Sequence, residues 1–287
     1  MSRVYEALRK AERERSVSGA SGVPQRSWIR ARPPTVVQPV DFVQPAPAAP
    51  SVQGEAPSRV VGLGRYSRAS DEFQLLASHL EGTAEQERRV VMVASSTPGE
   101  GKSFVSLNLS ISLARLGRRV LLVDVDLRNP KLHRTFNLAP LGGLTGFLLD
   151  QLPLASCLCE TSVRNLTLIA ASSRAAVFSS EILASPRMRQ FVAEARAADA
   201  WDHVVLDSAP VLAASETQIV ARLADALLFV VAANRTPRSA VSRSLELLKG
   251  APLLGLVFNR FEPPYSNRAE YGYGYGYGYG SRNRSQD

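Results

Sequence analysis

A short apolar run that stops at a glycine-rich loop constrains this chain more than any other stretch. Val-Val-Met-Val-Ala-Ser at 90–95 leads directly into Ser96-Thr97-Pro98-Gly99-Glu100-Gly101-Lys102-Ser103. An uninterrupted apolar segment bounded in this way reads as a strand buried on both faces. Covering both faces takes helices above and below a sheet, so the fold class is α/β. A helix is expected from about 101 to 116, stopping at Gly117, a residue suited to the left-handed position after a helix. The loop before that helix can cradle phosphate, because its backbone N–H groups and the helix dipole favour anions and its glycines admit a close approach. Lys102, one of only four lysines in the chain, is placed to reach β- and γ-phosphates, and Ser103 to ligate Mg²⁺. The usual pattern, G-x-x-x-x-G-K-[ST], has glycine where this chain has Ser96. Placement between strand and helix carries the assignment, so all of 96–103 are candidate residues for binding ATP with Mg²⁺.

The same alternation continues downstream. Strands are expected in RRVLLVDVD (118–126), LTLIAAS (166–172), DHVVLDSAP (202–210), ADALLFVVAAN (224–234) and LLGLVFNRF (253–261). Helices are expected over about 180–199, 215–223 and 237–249. Upstream, 70–82 places Phe73, Leu76, Ala77 and Leu80 on one helical face. Strands alternating with helices give right-handed βαβ units and a P-loop three-layer sandwich with a mostly parallel sheet. Ligands of such sheets bind at the carboxyl ends of the strands.

Three acids stand at those ends. Asp124 and Asp126 leave the second strand one residue apart. They are expected to part to opposite sides, one facing the phosphates and the other supporting the loop. A buried carboxylate needs a cation or donors, and Mg²⁺, Lys102 and Arg128 are the candidates. Asp207 follows His203-Val204-Val205-Leu206, the pattern of an acid that holds Mg²⁺ through water.

The ends of the chain differ in character from its centre. Residues 1–15 place Val4, Ala7, Leu8 and Ala11 on one stripe of a short amphipathic helix. Residues 16–58 hold eight of the 18 prolines and read as a disordered linker. A kinase domain is expected over 59–264 and a flexible tail over 265–287. In that tail Tyr271, Tyr273, Tyr275, Tyr277 and Tyr279 alternate with glycine. A repeat with glycine at every second position cannot offset its ordering entropy by building a core, so it presents phenols on a mobile string. A phosphate loop and a string of phenols in one chain suggest a kinase that phosphorylates its own tail, more readily between neighbours than within one copy.

Composition narrows the class further. No apolar run is long enough to span a bilayer, and the start, MSRVYEALRKAERER, is too charged for a signal peptide, so a cytoplasmic location is expected. Net charge is +8 and the pI about 9.9, but the arginines are scattered, and nucleic-acid binding is not expected. Cys157 and Cys159 form a lone C-x-C. With His79, His133 and His203 lacking metal spacing, it reads as ordinary reduced cysteine.

At these residues the chain resembles the bacterial tyrosine kinases of capsule and exopolysaccharide systems. The resemblance covers roughly 70–280. It rests on PGEGKS (98–103), VLLVDVDLRNPKLH (120–133), GGLTGFL (142–148), SEILASPRM (180–188), VVLDSAP (204–210), GLVFNR (255–260) and the terminal tyrosine cluster. It implies ATP, Mg²⁺, transfer of a phosphoryl group to tyrosine, and a fold akin to the MinD/ParA ATPases. By position it implies that Lys102 and Ser103 hold phosphates and Mg²⁺. Asp207 would be the outer Mg²⁺ residue, Asp124 would take or orient the tyrosine proton, Asp126 would assist at the metal, and Asn259 would lie near the adenine. It implies phosphoacceptors at Tyr271, Tyr273, Tyr275, Tyr277 and Tyr279. The partners it implies are a separate membrane-embedded polysaccharide chain-length regulator as activator, a phosphotyrosine phosphatase and further copies of the chain, which would hold the protein at the inner face of the membrane. Two segments depart from the family: Ser208-Ala209-Pro210 replaces Thr-Pro-Pro, and Asp71-x-x-Gln74-x-x-Ala77 replaces E-x-x-R-x-x-R, whose arginines help close a ring. The alternatives are a MinD/ParA-like ATPase switch, which usually carries a lysine where Thr97 stands, and a catalytically inactive nucleotide-binding scaffold.

Overall fold

The structure, a computed structural model, describes residues 68–82, 89–138 and 142–261. The helix expected at 1–15, the linker at 16–58 and the tail at 265–287 with its five tyrosines lie outside the described residues.

Among the described residues seven strands make one sheet: β1 (Arg89–Ser95), β2 (Val120–Asp124), β3 (Cys159–Glu160), β4 (Leu166–Ile169), β5 (His203–Asp207), β6 (Ala226–Ala232) and β7 (Leu253–Asn259). Their order is β3-β4-β2-β5-β1-β6-β7. Every pairing is parallel except β3 with β4. β1 therefore sits between β5 and β6, and its C-terminal end opens where the chain connections diverge to either side, the usual place for a ligand in such a sheet.

Both faces are covered. β1 sends Val91 and Val93 to a core shared with α1 (Arg68–Gly82) and α2 (Lys102–Arg115), and Val90, Met92 and Ala94 to a second core. That second core is closed by α4 (Gly143–Leu149), α5 (Ser179–Ala184), α6 (Pro186–Ala197) and α7 (Glu216–Ala221), with α8 (Arg238–Leu247) packed alongside. The expected face of α1 meets the core: Ala77 and Leu80 are buried, and Phe73 stands edge-on to Phe104 with centroids 5.7 Å apart. Burying one such leucine contributes about 2 kcal/mol. At the far end of α1, Glu81 takes both His203 Nε2 and Arg118 Nη2 at 2.5 Å, which fixes the helix to the N-terminal end of β5 and the segment before β2.

Four elements differ from expectation. The helix expected over 180–199 is two helices, because Ser185 is extended (ψ 157°) before Pro186, and a residue preceding proline is forced out of helical geometry. Ser185 then caps α6, its hydroxyl accepting from Met188 N at 3.4 Å. Two short helices, α3 (Leu132–Thr135) and α4, fall in stretches too brief for periodicity to show. The two-residue β3 adds an antiparallel edge and carries Cys159. Cys157 and Cys159 are both free, and burial raises both thiols; a raised thiol is a poor nucleophile and fits packing rather than chemistry.

Candidate active site at the phosphate loop

The loop between β1 and α2 has its shape from two glycines. Gly99 (φ 86°) and Gly101 (φ 96°) both lie in the left-handed region, which glycine enters without steric cost. At Gly101 a Cβ would come within 2.0 Å of Asn259 Nδ2, so a side chain there would strain the backbone and displace Asn259 from its bond to Glu100 O. Glu100, between them, is 3 % exposed and points inward as a brace. Its carboxylate accepts from Thr97 N at 2.6 Å and from the Thr236 hydroxyl beyond β6. Asn259, at the end of β7, donates its amide to Glu100 O at 2.8 Å. Thr236 carries no signal in the sequence, since nothing local marks a residue 136 positions from its partner.

Lys102 opens α2 and is buried, with Nζ 3.3 Å from Asp126 Oδ2. Asp207, at the end of β5, lies opposite Asp124 in the sheet register. The Ser106 hydroxyl sits between Lys102 O (2.9 Å) and Asp207 Oδ1 (3.1 Å). Ser106 is a site residue that the sequence reading does not include, although its position one helical turn after Lys102 is an available signal. Burial raises the Asp207 carboxyl above the ordinary range, while the Lys102 charge and the Ser103 and Ser106 hydroxyls pull the other way.

Strand alternation does not by itself separate Asp124 from Asp126. Two positions along an extended chain return a side chain to the same face, and β2 ends at Asp124, so Asp126 stands in the turn that follows. Asp124 is completely enclosed. Its Oδ1 accepts from Asp126 N (3.2 Å) and its Oδ2 from Lys131 N (3.0 Å) and Leu132 N (3.1 Å). Burial, then the neighbouring Asp207 charge, push the Asp124 carboxyl up to about 8, against the Leu132 and Lys131 N–H groups. Asp126 is the member of the pair that faces Lys102.

Arg128 does not neutralise either acid. Its Nε and Nη2 form a bidentate pair with Glu216 at 2.7 and 3.0 Å, and Nε also reaches Ser179 Oγ at 3.1 Å. Glu216 is 2 % exposed. Burial would raise its carboxyl, but hydrogen bonds from Ser179, Arg128 and Ser180 hold it below the usual range.

The positive-φ glycines, the amide-rich loop and a lysine at the start of a helix suit a phosphate chain. Asp126 and Asp207 set their carboxyl oxygens near that ammonium, a donor set that suits a cation, while burial keeps Asp124 largely protonated at neutral pH. No group of three or more His, Cys, Asp or Glu among the described residues is arranged as a metal site in itself. The donor set instead fits an ion such as Mg²⁺, which keeps waters and takes phosphate oxygens.

The family described as AAA domain matches residues 88–249. Tyrosine-protein kinase YwqD of Bacillus subtilis is 31% identical over 71% of this chain and 85% of its own. Succinoglycan biosynthesis transport protein ExoP of Rhizobium meliloti is 35% identical over 62% of this chain but only 23% of its own length. Among solved structures, the kinase domain of Escherichia coli tyrosine kinase ETK superposes with a TM-score of 0.64 at 28% identity, covering 74% of this chain and 82% of that one.

Proposed function

The chain belongs to the bacterial tyrosine-protein kinases, and on that premise we propose that it transfers the γ-phosphoryl group of ATP to the tyrosines of its own C-terminal repeat. The observation that carries this reading is Lys102 buried at the head of α2 between the phosphate loop and Asp126.

In the transfer, a bond forms between a phenol oxygen and the γ-phosphorus while the bond to the bridging oxygen breaks. ADP leaves, and the phenol proton passes to a carboxylate. Lys102 would give up Asp126 for the β- and γ-phosphates, and the backbone N–H groups of 99–103 would hold the rest of the chain of phosphates. Ser103, with Asp207 behind it, would hold Mg²⁺, which supplies charge neutralisation on the phosphates. Asp126 faces the site once Lys102 is released, and we assign it the phenol proton, since a phenol near pKa 10 stays protonated at neutral pH without a neighbouring base. Asp124, with no exposed surface and three backbone donors, is assigned as the positioning residue of the turn that carries Asp126. Asn259 braces Gly101 from the side on which we place the adenine.

The acceptors are Tyr271, Tyr273, Tyr275, Tyr277 and Tyr279, reached between copies. The setting is exopolysaccharide or capsule synthesis and export, supported by the likeness to ExoP. ExoP carries its matching region within a much longer chain. Here the activator is proposed to be a separate membrane-embedded regulator, with a phosphatase to reset the tail. No helix among the described residues is long and apolar enough to cross a membrane, and attachment to the inner face is proposed to run through that partner. Thr97, whose N–H is used by Glu100, stands where a MinD/ParA-type switch would have lysine.

The test is incubation of the chain with ATP and Mg²⁺ followed by detection of phosphotyrosine, alongside Lys102→Met. Signal in the parent and a loss of at least about 100-fold in the variant is expected. Silence in both, with the partner's cytosolic segment added, would leave the ATPase or scaffold readings.

A further inference from the structure

Beside the phosphate loop lies an open cleft of about 420 Å³, lined chiefly by Arg128, Leu212, Ser215, Gln218, Arg243 and Leu247. Its wall is joined to the nucleotide site by the backbone: Val211 N donates to Ser95 O at 2.8 Å and Leu212 N to Ser96 O at 3.1 Å. Arg128 belongs to both, standing two residues after Asp126 and donating through Nη1 to Ala213 O at 3.3 Å.

The chemistry of this cleft is mixed. The Arg128 guanidinium is held in one orientation by Glu216 and Ser179, yet its side chain is 45% exposed, so it is preorganised and still able to donate. Arg243, on α8, is exposed and makes no hydrogen bond or ion pair with any described residue. The same cleft is lined by Leu212 and Leu247, each 37% exposed. Two guanidinium groups and two leucines lining one cleft match a ligand with an aromatic ring and a dianion at its tip. Guanidinium recognises phosphate through paired N–H donors and also stacks on rings.

We propose that this cleft binds a phosphotyrosine of the repeat at 271–280, so that the tail is held by a product tyrosine while the next is phosphorylated. The site rests on the kinase reading only for the source of its ligand. Charge complementarity favours this occupant: each phosphotyrosine carries about −1.5 to −2 charges, and the cleft presents one unneutralised cation beside one that is half exposed. Spacing favours it too. Alternate residues of an extended chain are about 6.7 Å apart, so a phosphotyrosine held in the cleft leaves the next phenol of the repeat only that far along the chain. Unphosphorylated tyrosine offers neither arginine a charged partner. The first phosphate would therefore raise the affinity of the tail, and modification would proceed along the repeat instead of stopping at one site.

The experiment uses the full chain with the five tail tyrosines changed to phenylalanine, in ADP and magnesium so that the phosphate loop is not itself the receptor. Fluorescence anisotropy would follow a labelled Gly-Tyr repeat peptide carrying no phosphate, one phosphotyrosine or one phosphoserine. The phosphotyrosine peptide is expected to bind at least about tenfold tighter than the others, and Arg243→Gln to remove about tenfold of that affinity. Leu247→Asp should also weaken it. Equal binding of all three peptides, or affinity unchanged in Arg243→Gln and Leu247→Asp, would overturn the site. With the native tail and ATP, mass spectrometry of Arg243→Gln should show fewer phosphates per chain at an unchanged first-phosphate rate. A parent chain that makes no phosphotyrosine would count against the kinase reading alone, since the peptide arms decide the cleft without it.

Discussion

Asp124 is enclosed, yet it accepts from three backbone N–H groups, and that combination separates it from Asp126 two residues on. Asp124→Asn would turn an amide donor toward one set of those N–H groups and lose about 2 kcal/mol of stability along with activity. Asp126→Asn removes the carboxylate that faces Lys102 and leaves the turn in place. Thermal unfolding and phosphotyrosine yield together should therefore split the two variants: Asp126→Asn inactive with nearly parental stability, Asp124→Asn impaired in both. A reversed pattern would exchange the roles given to them. Gly101 makes a second residue-scale case. Its φ of 96° and the 2.0 Å separation between Asn259 Nδ2 and the place a Cβ would take leave alanine both strained and clashing. Gly101→Ala is expected to cost about 1–3 kcal/mol and to weaken nucleotide binding at least tenfold, measured by titration calorimetry.

Between elements, the bidentate Arg128–Glu216 pair joins the turn after β2 to α7, and Ser179 and Ser180 at the head of α5 complete it. The Glu216 carboxyl is held below its ordinary range, so its contribution to stability is present above the unfolded value, about 4.3, and is lost as pH falls through the folded value. Glu216→Gln should lower the melting temperature at pH 7, and the gap from the parent should narrow as pH drops below about 4. A gap independent of pH would show that packing, not charge, holds the node. Helix boundaries at this scale are mostly legible in the sequence. Glycine after α2 and proline at the start of α6 act locally, and Gly117 N does bond back to Ala114 O at 3.1 Å. The break at Ser185-Pro186 is written in the sequence too, but apolar periodicity runs through it and masks it. The antiparallel β3 is not legible: two residues have no period, and their pairing with Leu168 and Thr167 is settled by neighbours.

For the whole molecule, charge and assembly are linked. Five phosphotyrosines would bring roughly −7.5 to −10 to a chain of net charge +8, enough to cancel or reverse it. Extensive phosphorylation is expected to loosen self-association. Size measurement with and without ATP should show smaller species for the parent and no change for the variant with phenylalanine at all five positions; equal distributions in both would contradict this. On its own the sequence determined the alternating layers, the phosphate loop with Lys102 and Ser103, and the acids at the ends of β2 and β5, because period, glycine placement and strand length are properties of neighbouring residues. Only the tertiary structure decided which acid faces the lysine, that Glu100 braces the loop through Thr236, and that Arg128 belongs to Glu216. Those choices join residues 24, 136 and 88 positions apart, and contacts across such distances exist only once the strands between them have been ordered in the sheet.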